Sequence, residues 1–219
     1  MGMLRGVVFD MDGVIIDSHP AHRLAWKAFL QSLGRETSDE ELDFILDGCK
    51  RAEILKHFLG DLVPEQITEY GNRKDEILQE HNHTVQPIPG VVDFLDHLSD
   101  AGIRTGLATS ATRRRALGTL EELGLAHYFH TIVTGDDVTA GKPDPALYKL
   151  AAERMQESPE CLLAIEDAAA GVRSARAAGM RCVGVAPEPR AHLLQAAGAD
   201  PVIRDFRSLS FSQLQASFL

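Results

Sequence analysis

Short runs of β-forming residues recur along this chain at a regular interval, and one long gap interrupts them; that rhythm restricts the fold more than any other feature. Val7 to Phe9, Ile103 to Ala108, Thr131 to Thr134, Leu162 to Ile165 and Cys182 to Val185 read as strands, with Val202-Ile203 a weaker sixth. From Ile103 onward they come roughly every 20 to 30 residues, the spacing of βα units in a parallel sheet. Helical patterns fill the intervals. Val91, Phe94, Leu95 and Leu98 repeat on one helical face before Gly102, and Leu117, Leu120 and Leu123 do so before Gly124, each closed by a glycine stop. Asp144-Pro145 caps and opens a helix that carries Leu147, Leu150 and Ala151. The long gap, Ser18 to Pro87, has helical periodicity and almost no strand signal. Ala21, Leu24, Ala25, Ala28 and Phe29 form one stripe, Leu42, Ile45 and Leu46 a second, and Ile54, Leu55, Phe58 and Leu59 a third. The expected architecture is α/β, a Rossmann-like parallel sheet core with a small all-helical cap inserted after the first strand. The expected boundaries are 1–16 and 88–219 for the core and 17–87 for the cap, with Gln86-Pro87-Ile88-Pro89-Gly90 as a hinge or linker between them.

The first apolar run ends at Asp10-Met11-Asp12-Gly13. A buried strand would deliver both carboxylates to its C-terminal end, where open parallel sheets bind ligands. Two carboxylates so close need a cation, a shared proton or hydrogen bonds to offset their repulsion. The later strands end at residues of complementary chemistry. Thr109-Ser110 offers hydroxyls, Gly141-Lys142-Pro143 a lysine in a stiffened loop, and Glu166-Asp167 a second acid pair directly before a helical segment at 168–178. Singly, each has a plainer explanation, namely a turn, a solvated lysine and an N-cap. Together Asp10 and Asp167 with carbonyls and water make an oxygen-only site suited to Mg²⁺. Lysine and hydroxyl make a phosphate clamp, and an ionised aspartate is a competent phosphoryl acceptor.

Composition narrows the partners. Twenty-two Lys and Arg against 32 Asp and Glu leave a net charge of -10, which repels nucleic acid and anionic membranes, so neither is expected as a partner. Arg113-Arg114-Arg115 in so acidic a chain reads as a solvated helix face. No segment approaches the ~20 apolar residues of a membrane helix. Asp10, Asp12 and Asp17 also interrupt the first apolar stretch too early for a secretory signal. Cys49, Cys161 and Cys182 are odd in number and far apart, as expected of reduced thiols in a cytoplasmic protein. A monomer is expected.

The four strand-end motifs resemble those of the haloacid dehalogenase superfamily of phosphotransferases, in the right order and across nearly the whole chain: Asp10-Met11-Asp12-Gly13-Val14, Thr109-Ser110, Lys142-Pro143, and Glu166-Asp167 followed by Ala168-Ala169-Ala170-Gly171-Val172. The resemblance implies that Asp10 attacks phosphorus and becomes aspartyl-phosphate. Asp12 then protonates the leaving oxygen and activates water, and its backbone carbonyl helps bind magnesium. It also implies that Thr109 and Lys142 hold the transferring phosphoryl group, and that Asp167 binds the metal with Glu166 assisting directly or through water. A crowded acidic cluster is expected to raise carboxylate pKa values, which would suit Asp12 as an acid. Superfamily members that remove halides lack the second aspartate, so Asp12 argues against dehalogenation. The helical insertion is similar to the cap of the phosphatase and β-phosphoglucomutase branch. Asp17-Ser18, His22, Ala25-Trp26-Lys27 and Gly48-Cys49-Lys50-Arg51 resemble the mutase, in which a histidine ten residues after the second aspartate and a cap arginine assist. His22 and Arg51 are therefore candidate substrate-binding residues with Ser110. Lys50 departs from the mutase pattern, and the mutase's second cap lysine is not identifiable. The expected activity is Mg²⁺-dependent hydrolysis of a small phosphate ester, a sugar phosphate by preference. The alternatives are a sugar phosphomutase and, in another class, a catalytically silent binding module, since fold alone does not establish activity.

Overall fold

The computed structural model describes residues 3–46, 49–80, 85–209 and 214. The candidate Gly48 therefore lies outside the described residues, as do the ends of the expected core segments.

Six parallel strands form one sheet in the order β5-β4-β1-β6-β7-β8. They are β1 (Gly6–Phe9), β4 (Arg104–Ala108), β5 (Thr131–Val133), β6 (Leu162–Glu166), β7 (Arg181–Val185) and β8 (Val202–Ile203). The chain lays down β1, moves outward through β4 and β5, then returns to the other side of β1 for β6, β7 and β8. Phe9 pairs in register with Leu107 on one side and Ile165 on the other. The order thus reverses around β1, and the C-terminal end of β1 lies at a topological switch point, where such sheets bind ligands.

Strand side chains alternate between the two faces. Val7 and Phe9 belong to one apolar cluster with Leu107, Leu163, Ile165 and Val183. α4 (Val91–Asp100) and α5 (Arg113–Glu122) cover that cluster with Phe94, Leu95, Leu98, Ala116 and Leu120. Val8, Ala108, Val133 and Ala164 point the other way, under α6 (Ala146–Met155), α7 (Ala169–Ala177) and α8 (Glu188–Ala197). Phe9 packs edge-on against Phe94 and Phe129, with ring centroids 6.2 and 6.1 Å apart. Such pairs contribute about 0.5–1.5 kcal/mol each beyond area burial, enough to pin the strand that carries the aspartates.

The segment after β1 is helical, as its periodicity predicts, but its faces differ in detail. It comprises α1 (His19–Ser32), a 3₁₀ turn at Glu41–Leu46, α2 (Arg51–Leu59) and α3 (Pro64–Glu80). In α1 the buried residues are Ala21, Ala25, Trp26, Phe29 and Leu30; Leu24 is 52% exposed and Ala28 faces solvent, because the inward stripe runs through Trp26 and Leu30 instead. Trp26, Phe29, Leu42, Leu55 and Phe58 form a third apolar cluster, distinct from the two flanking the sheet. α3 carries no clear apolar stripe in the sequence, because its buried residues are Gly71, Lys74, Asp75 and Leu78, mostly small or charged. Within the expected linker, β3 (Gln86–Pro87) pairs antiparallel with β2 (Ile16–Asp17), so both connections between helical unit and sheet run side by side. No helix among the described residues is long and apolar enough to cross a membrane.

Candidate active site

The nine candidate residues of the sequence, Asp10, Asp12, His22, Arg51, Thr109, Ser110, Lys142, Glu166 and Asp167, line a single cavity of about 310 Å³ between the strand ends and the helical unit. β1, β4 and β6 end beside one another in the sheet, so Asp10, Thr109 and Glu166-Asp167 are brought together by backbone pairing alone.

At the base of the cavity Lys142 is buried and its ammonium joins Asp10 to Glu166, donating to Asp10 Oδ1 and lying 2.6 Å from Glu166 Oε1. Tyr148 of α6 donates to the same Glu166 oxygen at 2.6 Å, and the Asp167 amide donates to Oε2 at 3.2 Å. Gly171 makes room for this carboxylate. A Cβ there would overlap it, so the glycine is required by close approach rather than by backbone angle.

Carboxylate oxygens of Asp10, Glu166 and Asp167 all lie within 4.8 Å of one another, and the three residues are buried. Three buried carboxylates against Lys142 and, at Asp167, His19 leave negative charge uncompensated. Burial pushes Asp10 well above the usual carboxylate range, Lys142 counters this, and Glu166, Asp167 and Asp12 add to it. Glu166 is raised by burial in the same way. The all-oxygen donor set and the missing positive charge fit a hard divalent cation. Asp167 does not cap α7. The N-cap is Ala168, and the Asp167 carboxylate instead pairs with His19, Nε2 to Oδ2 at 2.9 Å. The competing attraction is electrostatic: burial would lower His19, yet Asp167 raises it above its ordinary value.

Asp12 departs from the expectation that crowding raises its pKa. Its side chain turns away from the three carboxylates and accepts from Ser18 and from both arms of the Arg115 guanidinium, one contact at 3.0 Å. Burial would raise this carboxyl, but Arg115 and, to a lesser degree, His22 hold it well below the usual range. The crowding acts on Asp10 and Glu166, and Asp12 escapes it because a fixed guanidinium is its nearest neighbour.

Arg115 is the main residue that the sequence reading missed. Arg113 and Arg114 are exposed, as a solvated face requires, but Arg115, in the first turn of α5, reaches into the cavity with its side chain only 17% exposed. Its position in the first turn of a helix that directly follows Thr109-Ser110 was the available signal. A second omission is the pair Lys74 and Asp75 on α3. Lys74 Nζ lies 3.1 Å from His22 Nδ1, and His22 Nε2 lies 3.5 Å from Asp12 Oδ1. Burial and Lys74 push His22 down to about 4, and burial takes Lys74 to about 7 despite Asp75 beside it. Asp75 also accepts from Arg51, so one arm of the Arg51 fork is already paired within the helical unit. Thr109 is buried and its Oγ1 accepts from the Ala111 amide at 3.1 Å, which leaves its hydroxyl hydrogen as a donor.

A sequence model of the family described as "Haloacid dehalogenase-like hydrolase" matches residues 7–185. The chain is 34% identical over 185 residues to the phosphorylated carbohydrates phosphatase of Thermotoga maritima, covering 83% of this chain and 85% of the relative. It is 33% identical over 223 residues to the beta-phosphoglucomutase of Bacillus subtilis, covering 96% and 94%. Among solved structures, CbbY from Rhodobacter sphaeroides in complex with phosphate superimposes with a TM-score of 0.82 at 27% identity, covering 95% of this chain and 97% of that one.

Proposed function

Because the chain belongs to the haloacid dehalogenase-like hydrolase family, we propose that it is a phosphomonoesterase for a small phosphorylated carbohydrate, working through an aspartyl-phosphate at Asp10. The observation that carries this reading is the base of the cavity, where one lysine spans Asp10 and Glu166 at the switch point of the sheet. Asp10 forms the P–O bond while the ester oxygen leaves, and a proton on that oxygen completes the alcohol. Water then attacks the aspartyl-phosphate, gives up a proton and releases phosphate from Asp10. Lys142 and the Thr109 hydroxyl hold the phosphoryl oxygens.

Asp12 serves as the proton carrier. Paired with Arg115 and Ser18 it is ionised, the form that accepts a proton from the attacking water. To supply a proton to the leaving oxygen it must first take one up, against the pull of the guanidinium that orients it. Asp10, Glu166 and Asp167, with the Asp12 backbone carbonyl, would hold Mg²⁺, and when bound the ion supplies positive charge against the phosphoryl oxygens and the crowded carboxylates. Residues 17–87 act as the cap over this site.

Hydrolysis is preferred to mutase chemistry because a mutase must grip a second phosphate. The cap arginine suited to that, Arg51, is engaged by Asp75. The test is release of inorganic phosphate from an aryl phosphate and a panel of sugar phosphates with Mg²⁺, with EDTA, and after Asp10→Asn. Loss of at least ~10³-fold in the last two conditions is expected; undiminished turnover in them would sink the mechanism. Glucose 6-phosphate accumulating from β-glucose 1-phosphate and a trace of bisphosphate, without free phosphate, would establish the mutase instead.

A further inference from the structure

Lys50 and Arg51 are adjacent but diverge. Arg51 turns into the helical unit toward Asp75, whereas Lys50 leaves that unit. Its ammonium donates to the backbone carbonyls of Val138 and Thr139, at 2.9 and 3.0 Å. These belong to the core loop that runs from the 3₁₀ turn at Gly135–Asp137 to Lys142. The stem of Lys50 lies along Gly141, where a Cβ would overlap its Cγ and sit 2.8 and 2.9 Å from Cδ and Cε. The missing side chain at 141 is thus the channel in which the lysine lies. A second strut points the same way, since Arg190 at the start of α8 donates to the Leu46 carbonyl of the helical unit at 3.2 Å.

We propose that Lys50 is a positioning residue for Lys142: by drawing two successive carbonyls onto one ammonium, it fixes the 138–142 loop and so holds the Lys142 amine between Asp10 and Glu166. The proposal rests on the phosphomonoesterase reading of the Asp10 site for its catalytic consequence, though not for its structural one. The physical case is that loops are the least stable part of a fold, whereas a clamp on a transferring phosphoryl group must be held to within about half an ångström. Charge-assisted bonds are the stronger kind, and a compact ammonium with three donors serves two carbonyl dipoles at once. Lys50 also carries information from cap to core, because the loop is fully braced only when the helical unit sits against it.

The test compares the full chain with Lys50→Met, which keeps the stem and removes the ammonium, and with Lys50→Arg, whose fork can donate to both carbonyls. Amide hydrogen exchange is followed across residues 138–145, without substrate, alongside steady-state hydrolysis of p-nitrophenyl phosphate. For Lys50→Met we expect exchange in that loop to quicken by about 10-fold, α3 to be unaffected, and kcat to fall about 10-fold with KM within twofold. Lys50→Arg should recover most of both. Unchanged loop exchange in Lys50→Met overturns the proposal. Were kcat lost all the same, Lys50 would be a substrate ligand; faster exchange with kcat intact would also overturn it, leaving a brace without catalytic effect. If the unaltered protein hydrolyses no ester, the reaction reading fails by itself, and the exchange arm still decides whether Lys50 fixes the loop.

Discussion

At the scale of single residues, the site is governed by which cation each carboxylate meets. Asp10 and Glu166 share Lys142, Asp167 meets His19, and Asp12 meets Arg115. A planar guanidinium grips a carboxylate with two parallel bonds, which fixes orientation as well as charge. Arg115→Met should therefore leave the fold intact but lower kcat/KM by about 10- to 100-fold, because Asp12 loses the partner that aims it. Arg115→Lys should recover little, since a single ammonium cannot reproduce the fork. Steady-state kinetics on the three proteins, with circular dichroism as the check on folding, decide this; full activity in Arg115→Met would remove the arginine from the site's machinery. Arg115 was only weakly legible in the sequence, through its place just after Thr109-Ser110, because three consecutive arginines look alike until a helix assigns them different directions. Lys74 and Asp75 were hidden for a related reason: charged residues on a polar helix read as solvated unless something folds over them.

At the scale of elements, the turn after β5 shows how local chemistry holds a loop that the site depends on. Asp137 accepts from the Thr134 amide at 2.8 Å and hydroxyl at 2.7 Å, and from Arg154 of α6 at 2.7 Å. Burial works to raise this carboxyl, but those bonds outweigh it and bring it down to about 2. A folded-state pKa below the unfolded value near 4 stabilises the protein at higher pH, and the contribution is lost as pH falls from about 4 through about 2. Asp137→Asn should thus cost about 1 kcal/mol at pH 7, a modest figure because Arg154 is itself 39% exposed. The cost should shrink to a small part of that near pH 2, which urea titrations at the two pH values would reveal. An equal cost at both would mean that shape rather than charge is at work. The strands themselves were legible, because a parallel sheet buried on both sides demands continuous apolar runs, and those from Val7 to Phe9 and Leu162 to Ile165 have no other use. The two-residue ribbon of β2 and β3 was not. Gln86-Pro87 carries no strand signal, and only its pairing with Ile16–Asp17 makes it one.

For the molecule as a whole, the balance of charge predicts its response to metal. A net charge of -10 includes three carboxylates buried within 4.8 Å of one another, and a ligand that neutralises them in the folded state alone must stabilise that state. Mg²⁺ at about 100 times its Kd should add about 2.7 kcal/mol. Scanning calorimetry should show a higher Tm with Mg²⁺ than with EDTA, and Asp167→Asn should lose most of the difference; one Tm under all conditions would contradict the metal site. The sequence alone determined the sheet, the helical insertion and the four motifs, because those depend on local patterns of burial and on residue types at strand termini or, for Lys142, in the loop that follows one. Only the tertiary structure decided how Asp12 is charged, that Arg51 is occupied, and that Lys50 reaches the Lys142 loop. Each of these depends on contacts between residues 24 to 103 positions apart, whose energies are set by distance and burial and leave no periodic trace in the chain.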